Sequence, residues 1–191
     1  MRLDLVVGPN GAGKSTFVEL VLGPRRPTVP FVNADVIAAQ RWPADPQAHA
    51  YEAAQIAART RTLLLDRREP FMAETVFSHP SKLELVDAAT TAGFTVALHV
   101  LLVPEELSVL RVAYRVAAGG HAVPEDKIRG RYQRLWPLVT EAIDRCDSAR
   151  VWDNSRREGP DEVAQFASGI PVGPCRWPSW TPAALASRWT D

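Results

Sequence analysis

The sequence predicts an α/β domain in which a parallel sheet is covered by helices on both faces. Short apolar runs typical of strands alternate along the chain with longer segments of helical periodicity, the order that parallel strands joined by helices require. A glycine-rich stretch joins the first apolar run to the first helical segment, as in a strand–turn–helix unit. At 191 residues the chain is long enough for one domain with its own hydrophobic core.

The predicted elements follow from apolar periodicity and from the residues that begin and end them. Pro80, Pro104 and Pro124 are placed to open helices, and Gly93 to end one. The predicted strands cover 3–7, 28–32, 70–76, 94–103 and 150–153. The predicted helices cover 14–22, 46–66, 80–92, 104–118 and 124–145, the last with a disturbance at Pro137.

The stretch GPNGAGKS, residues 8–15, matches the pattern G-x-x-x-x-G-K-[ST] with a strand before it and a helix after it. Its glycines permit positive φ, so successive N–H groups can face an anion at the positive end of the helix. Lys14 can then reach the β- and γ-phosphates of a nucleoside triphosphate, and the Ser15 hydroxyl can bind Mg²⁺. The predicted nucleotide-binding residues are Gly8, Pro9, Asn10, Gly11, Ala12, Gly13, Lys14, Ser15 and Thr16.

Charge and cysteine content limit the classes of partner. Lys plus Arg and Asp plus Glu both number 22, so no overall field attracts nucleic acid or an anionic membrane. The spacing of Cys146 and Cys175 is not that of metal ligands. A disulfide between them is one alternative, but a reducing compartment with two free thiols is the simpler assumption. The chain enters its first strand without a signal segment, and its longest apolar stretch, near 96–103, is too short to span a bilayer. We therefore expect a cytoplasmic protein that binds neither nucleic acid nor membrane.

Polar side chains follow the predicted second and third strands, at the edge of the sheet where open α/β folds bind ligands. Asp35, in VNAD, could accept the proton of an attacking hydroxyl or help to hold Mg²⁺. It could instead cap the following helix, residues 36–39. Glu74 and Thr75, in FMAETVFS, are candidates to bind hydroxyl or amide groups of an acceptor, with a solvated strand end as the alternative.

A basic helical hairpin is predicted at about 104–136. Arg111 and Arg115 are four positions apart and project from one helix face. Two glycines at 119–120 break this helix, and the next carries further basic residues beside an apolar stripe. Such a hairpin could close as a lid over bound phosphates.

The basic residues of this lid have different predicted roles. Arg115 and Arg131 are expected to neutralise charge on the transferred group, and Arg111 to contact the acceptor. Lys127 and Arg129 are expected to form a solvated basic face. His121, in the turn, is expected to be a surface or capping residue.

The chain resembles the zeta-toxin family of P-loop kinases, which includes UDP-N-acetylglucosamine kinases. The resemblance runs through GPNGAGKS, FVNADVIA, FMAETVFS, RVAYRVAAGGHAVPEDKIRGRYQR and VWDNS, and covers most of residues 1–155. The stretch RV-x-x-RV-x-x-GGH-x-VP is its most specific part. The resemblance implies a P-loop NTPase three-layer fold, with a parallel five-stranded sheet in the order 2-3-1-4-5 and a helical lid. It also implies ATP, Mg²⁺ and phosphorylation of a sugar hydroxyl.

The resemblance also implies roles for single residues. Asp35 matches the position of the family's catalytic base, and Glu74 and Thr75 lie in its acceptor-contact segment. Arg115 and Arg131 look like its phosphate-binding arginines, which would act with Lys14. Asn154 ends a strand where related kinases place the adenine. This chain lacks the long elements that hold the uridine-diphosphate sugar in the toxins, so the acceptor is a nucleotide sugar or another hydroxyl metabolite, and an antitoxin partner stays open.

The expected organisation is a kinase domain at 1–169 and a Pro/Trp-rich tail at 170–191 packed on it. Two other functions remain open: an ATPase or switch that drives a partner, and an inactive nucleotide-binding module. Neither an LSGGQ-like nor an NKxD motif occurs, which disfavours the first. The intact Lys14, Ser15 and Asp35 disfavour the second.

Overall fold

A mixed β-sheet runs through the centre of the domain. In the computed structural model, which describes residues 1–118, 120 and 123–189, its strand order is β2-β3-β1-β4-β5-β6-β7. The strands are β1 (Arg2–Val7), β2 (Phe31–Val32), β3 (Phe71–Thr75), β4 (Thr95–Leu102), β5 (Ser148–Asp153), β6 (Asp161–Ala167) and β7 (Ile170–Pro171). Strands β1 to β5 are parallel, whereas β6 and β7 extend one edge with antiparallel pairing.

The order of the parallel strands confirms the topology 2-3-1-4-5 expected from the sequence resemblance. The expected number of strands is wrong, because β6 and β7 were not predicted. β6 begins with the charged residues Asp161 and Glu162 and returns beside β5 without an intervening helix. β6 therefore lacks the continuous apolar run that predicted the other strands, and no segment of helical periodicity separates it from β5.

Helices cover both faces of the sheet. They are α1 (Lys14–Phe17), α2 (Ala34–Arg41), α3 (Ala50–Asp66), α4 (Ser81–Thr91), α5 (Glu105–Ala117), α6 (Glu125–Arg145) and α7 (Ala183–Ala186). α1 continues directly as a π-helical turn over Val18–Leu22, and α6 runs through Pro137. None of the described helices is both long and apolar enough to cross a membrane.

Two predicted boundaries are wrong for local reasons. The strand predicted at 28–32 is reduced to β2, because Pro27 and Pro30 have no N–H to donate to a ladder. The helix predicted from residue 46 begins only at Ala50. Before it, the Asp45 carboxylate accepts a hydrogen bond from the Ala48 N–H at 3.1 Å, which stabilises a turn in place of the first helical turn.

The core has one cluster on each face of the sheet, which gives the three layers. Alternation along β1 divides its side chains: Leu3 and Leu5 belong to the larger cluster, and Val6 to the smaller one under α1. Part of the C-terminal segment joins the larger cluster: Leu185 and Trp189 are buried there. Cys146 and Cys175 are both buried and unbonded to each other.

Candidate active site

The glycine-rich loop at 8–15 has a shape that only glycine permits at two positions. Gly11 and Gly13 have φ values of 70° and 82°, in the left-handed region. A Cβ at Gly11 would lie 2.8 Å from the Ser108 carbonyl oxygen, and one at Gly13 would lie 2.7 Å from the Asn154 Nδ2. The loop is therefore packed tightly against α5 and the end of β5.

Hydrogen bonds from these neighbours fix the loop backbone. The Ser108 hydroxyl donates to the Asn10 carbonyl oxygen at 2.5 Å, and the Asn154 amide donates to the Ala12 carbonyl oxygen at 2.8 Å. The Asn154 side chain thus supports the loop directly. Its predicted contact with the adenine is not tested by this geometry.

Lys14 lies where several charged groups meet. Its side chain is 7% exposed, and Nζ donates to the Pro9 carbonyl oxygen at 2.9 Å. Burial lowers the pKa of Lys14, the positive charges of Arg115 and Arg131 act in the same direction, and two nearby carboxylates oppose the shift. The nearer carboxylate, Glu74, lies 3.9 Å from Nζ. The other is Asp35.

Glu74 connects the loop to the end of β3. One of its carboxylate oxygens accepts hydrogen bonds from the Ser15 hydroxyl and the Asn33 amide, both at 2.7 Å. The parallel register places Glu74 opposite Val6, next to the strand that leads into the loop. The carboxylate is thus held against the hydroxyl predicted to bind Mg²⁺, a contact that the sequence did not indicate.

Asn33 is the residue that caps the N-terminus of α2. Its side-chain oxygen accepts hydrogen bonds from the N–H groups of Asp35 and Val36, at 2.7 and 3.3 Å. The alternative interpretation of Asp35 as the helix cap is therefore wrong. Asn33 was not predicted as the cap, although asparagine before a helix is a strong capping signal.

The main cleft, of about 360 Å³, brings most of the predicted site together. Its lining includes Lys14, Ser15, Asp35, Glu74, Thr75, Arg115 and Arg131. A side cleft of about 420 Å³ opens beside it and has walls of small residues, among them Ala38, Ala39 and Pro46. Asp35, Ala50 and Arg115 line both clefts and so lie where they meet.

Arg111 lies outside this arrangement. Its guanidinium donates to the carbonyl oxygens of Asn154 at 2.9 Å and Ser155 at 3.3 Å. It therefore ties α5 to the chain after β5, and it lines neither cleft. Its predicted contact with an acceptor has no support in this geometry.

The hairpin of α5 and α6 carries Arg115 and Arg131 to the cleft. Arg129 joins the two helices, because its guanidinium donates to Glu105, Glu106 and Glu125. Arg129 keeps about a third of its side chain exposed, as expected for a solvated face, but its charge is paired with Glu105 and Glu106 of α5 and Glu125 of α6. The expectations for Gly119 and His121 lie outside the described residues.

The donor atoms at the cleft suit Mg²⁺ bound together with phosphates. Ser15 supplies a hydroxyl, and Glu74 and Asp35 supply carboxylates along the same lining. In the described part of the chain, no group of three or more His, Cys, Asp or Glu residues could hold a metal by itself. Few protein oxygens completed by substrate phosphates are the usual environment of Mg²⁺.

A phosphate-binding loop at the end of β1, in a sheet of this order, defines a P-loop nucleoside-triphosphate-binding protein. The chain belongs to the AAA domain family, whose model matches residues 3–138. No curated protein matches the sequence.

Solved structures with the same fold include a complex crystallised with ATP, a toxin-antitoxin system and a putative kinase. The AvrRxo1-ORF1:-ORF2 complex with ATP is 16% identical, with a TM-score of 0.72, over 98% of this chain and 63% of that chain. The PezAT toxin-antitoxin system of Streptococcus pneumoniae is 14% identical, with a TM-score of 0.64, over 86% and 72%. A putative kinase from Chloroflexus aurantiacus is 19% identical, with a TM-score of 0.53, over 70% and 77%.

These similarities confirm the fold expected from the resemblance to zeta-toxin kinases. At such identities they show the fold alone. The chain spans less than two thirds of the length of the AvrRxo1 chain that it matches.

Proposed function

We propose that the protein is an ATP-dependent kinase that phosphorylates a hydroxyl of a small molecule, with a nucleotide sugar of the UDP-N-acetylglucosamine type as the favoured acceptor. One observation carries the proposal: Lys14, Asp35, Arg115 and Arg131 converge on one cleft at the phosphate loop. Phosphoryl transfer depends on this kind of positioned positive charge, with a carboxylate to receive the acceptor's proton.

The loop and Lys14 bind the nucleotide phosphates in this mechanism. Backbone N–H groups at the start of α1 and the Lys14 ammonium hold the β- and γ-phosphates. Mg²⁺, held by Ser15 and Glu74, would supply neutralising charge on the phosphate oxygens. Asn33 keeps Glu74 in place through its 2.7 Å hydrogen bond.

Asp35 acts as the general base. It accepts the proton of the acceptor hydroxyl while the acceptor oxygen forms a bond to the γ-phosphorus. The bond between that phosphorus and the oxygen bridging to the β-phosphate breaks, which leaves ADP. Arg115 and Arg131 stabilise the charge on the phosphoryl oxygens during transfer.

The side cleft favours an acceptor over water. Asp35 and Arg115 lie where the main and side clefts meet, and the side cleft offers small, partly apolar walls formed by alanines and Pro46. An acceptor bound there would have its hydroxyl next to Asp35. A water-activating ATPase needs no such cavity, so this observation supports a kinase over a hydrolase or a switch.

A protein partner and a cytoplasmic location belong to the same proposal. One of the similar solved structures is the AvrRxo1-ORF1:-ORF2 complex, and another comes from the toxin-antitoxin system PezAT. An antitoxin-like partner for this chain would be recognised by its ability to suppress acceptor phosphorylation when added at equimolar amount.

The test is incubation with ATP, Mg²⁺ and a panel of nucleotide sugars, with mass spectrometry to find an added phosphoryl group. We expect a phosphorylated UDP-N-acetylhexosamine with the wild-type protein and none with Lys14→Ala. Lys127→Ala, which changes an exposed lysine of α6, is the matched control and should be as active as wild type. ATP hydrolysis without a modified acceptor would contradict the proposed reaction.

A further inference from the structure

Two basic side chains, one in the lining of the main cleft and one on a helix that contributes to that lining, have no part in the proposed mechanism. Lys82, near the start of α4, lines the cleft together with Glu74 and Thr75. Arg61, in α3, lies seven positions after Ala54, which also lines the cleft, so both residues share one helix face. Because helical side chains lean toward the start of their helix, the Arg61 side chain leans back toward Ala54.

Lys82 and Arg61 are both partly removed from water, and Arg61 lies near enough for its charge to act on Lys82. Burial lowers the pKa of Lys82, and the positive charge of Arg61 lowers it further. Burial also lowers the pKa of Arg61. Both side chains are half-buried. Two neighbouring positive charges with reduced solvation are unfavourable unless an anion is bound beside them.

No acidic side chain of the described residues forms an ion pair with Lys82 or Arg61. Three arginines elsewhere in the domain differ in this respect. Asp4 lies within 3.3 Å of both Arg2 and Arg26, and Arg129 binds three glutamates. Lys82, in the cleft lining, and Arg61, on the helix beside it, therefore lack the carboxylate partners that these three arginines have.

The backbone between Glu74 and Lys82 connects this pair to the catalytic end of the cleft. Thr75, Val76, Phe77 and Ser78 line the same wall. Phe77 has a φ of 63° and a fully buried side chain, so the chain turns sharply there before α4 begins. The wall thus runs from the predicted Mg²⁺ position to Lys82.

We propose that Lys82 and Arg61 form a subsite for an oxyanion carried by the acceptor. The acceptor is then a hydroxyl compound with a phosphate or carboxylate group away from the hydroxyl that reacts. Lys14, Arg115 and Arg131 remain for the transferred phosphoryl, so the two sets of cations bind different groups. This inference rests on the proposed kinase function and makes the two residues determinants of acceptor specificity.

Direct binding tests the subsite without turnover. The protein is loaded with Mg²⁺ and a non-hydrolysable ATP analogue, which occupies the phosphate loop, and is titrated calorimetrically with inorganic pyrophosphate or with malonate. We expect Arg61→Gln and Lys82→Gln to weaken binding by about tenfold or more, because each removes a charge-assisted hydrogen bond. Comparison of the dissociation constants of pyrophosphate and malonate shows whether the subsite prefers phosphate or carboxylate.

Two further variants make the binding result decisive. Arg59→Gln, an exposed arginine of the same helix, should bind the probes as wild type does. Lys82→Arg keeps the charge and should retain binding, which separates charge loss from misfolding. Wild-type affinity in both glutamine variants, or no probe binding by the wild-type protein, overturns the subsite.

Kinetics distinguish failure of the subsite from failure of the kinase function. With UDP-N-acetylglucosamine as acceptor, Lys82→Gln should raise the acceptor KM by about tenfold, with little change in kcat or in the KM for ATP. Neutral N-acetylglucosamine should be a poor acceptor for every variant. An active wild type with an unchanged acceptor KM in both variants overturns the subsite and leaves the kinase function in place. If the wild type phosphorylates no acceptor but binds pyrophosphate through Arg61 and Lys82, the kinase function fails and the anion subsite stands.

Discussion

The Ser15 hydroxyl donates a 2.7 Å hydrogen bond to the Glu74 carboxylate, although the two residues lie 59 positions apart. The contact joins the phosphate loop to the end of the neighbouring strand β3. It places a carboxylate beside the hydroxyl expected to bind Mg²⁺, so we propose that Glu74 takes part in metal binding in addition to, or in place of, contact with an acceptor.

Glu74→Gln should raise the Mg²⁺ concentration needed for half-maximal activity by about 10- to 100-fold, the usual cost of removing a group that orients a metal ligand. Titration of activity with Mg²⁺ measures the effect. Glu84→Gln, an exposed glutamate in α4, is the matched control. A Glu74→Gln protein with wild-type Mg²⁺ dependence would show that the carboxylate serves only the acceptor.

Gly13→Ala should abolish measurable nucleotide binding. The new Cβ would lie 2.7 Å from the Asn154 amide, in a backbone conformation with φ of 82° that alanine rarely adopts. The control is Gly173→Ala, where φ is 94° but no atom lies within 4 Å. That variant should lose about 1–2 kcal/mol of stability from backbone strain and bind ATP normally, as isothermal titration and thermal melting can show.

Lys14→Met should raise the melting temperature while it removes ATP use. Burial lowers the pKa of Lys14, so the charged form is less favourable in the folded protein than in the unfolded chain. The penalty is present below the folded-state pKa and fades as pH rises from that pKa to the unfolded value. The stability gain should therefore be largest near neutral pH and shrink at alkaline pH. A lower melting temperature for Lys14→Met at pH 7, with Lys127→Met unchanged, would refute this explanation.

Asp4→Asn should lower stability at neutral pH. Burial alone would raise the pKa of Asp4, but hydrogen bonds from His99 and Arg2 outweigh it, and the pKa lies below its usual value of 3.8. The stabilisation is thus present above the unfolded-state pKa and is lost as pH falls through the folded one. We expect a loss of about 1.5–3 kcal/mol at pH 7, the usual worth of hydrogen bonds to a charged group, and this loss should disappear in acid. Denaturant unfolding at several pH values measures the difference in the free energy of unfolding between the wild type and Asp4→Asn, with Asp66→Asn as the control. A difference that does not change with pH would contradict this explanation.

Local sequence signals predicted the parts of the fold that depend on neighbouring residues. The phosphate loop is fixed by its own glycines, and the parallel strands by their apolar runs. Topology required the family resemblance, because periodicity does not show which strands are neighbours. β6 was missed because its position depends on pairing with β5 after a turn, a contact between segments that has no local signal.

For the site, the sequence predicted most of the residues but not the bonds between them. Lys14, Asp35, Glu74, Arg115 and Arg131 stand at strand ends, in motifs or on a helix face, and the structure brings them to one cleft. Their partners could not be predicted, because the bonds between Ser15 or Asn33 and Glu74 depend on how β2, β3 and the loop pack. Arg111 and Arg129 show a further limit: a basic residue on a helix face gives no indication of the carbonyl or carboxylate that it will bind.

The most direct test of the central claim compares the wild-type protein with Asp35→Asn in phosphoryl transfer from ATP to UDP-N-acetylglucosamine, with ATP affinity measured on the same samples. We predict that the variant keeps its ATP affinity while kcat falls by about 100-fold or more, the usual contribution of a general base. An Asp35→Asn protein that transfers phosphoryl at the wild-type rate would contradict the proposed mechanism.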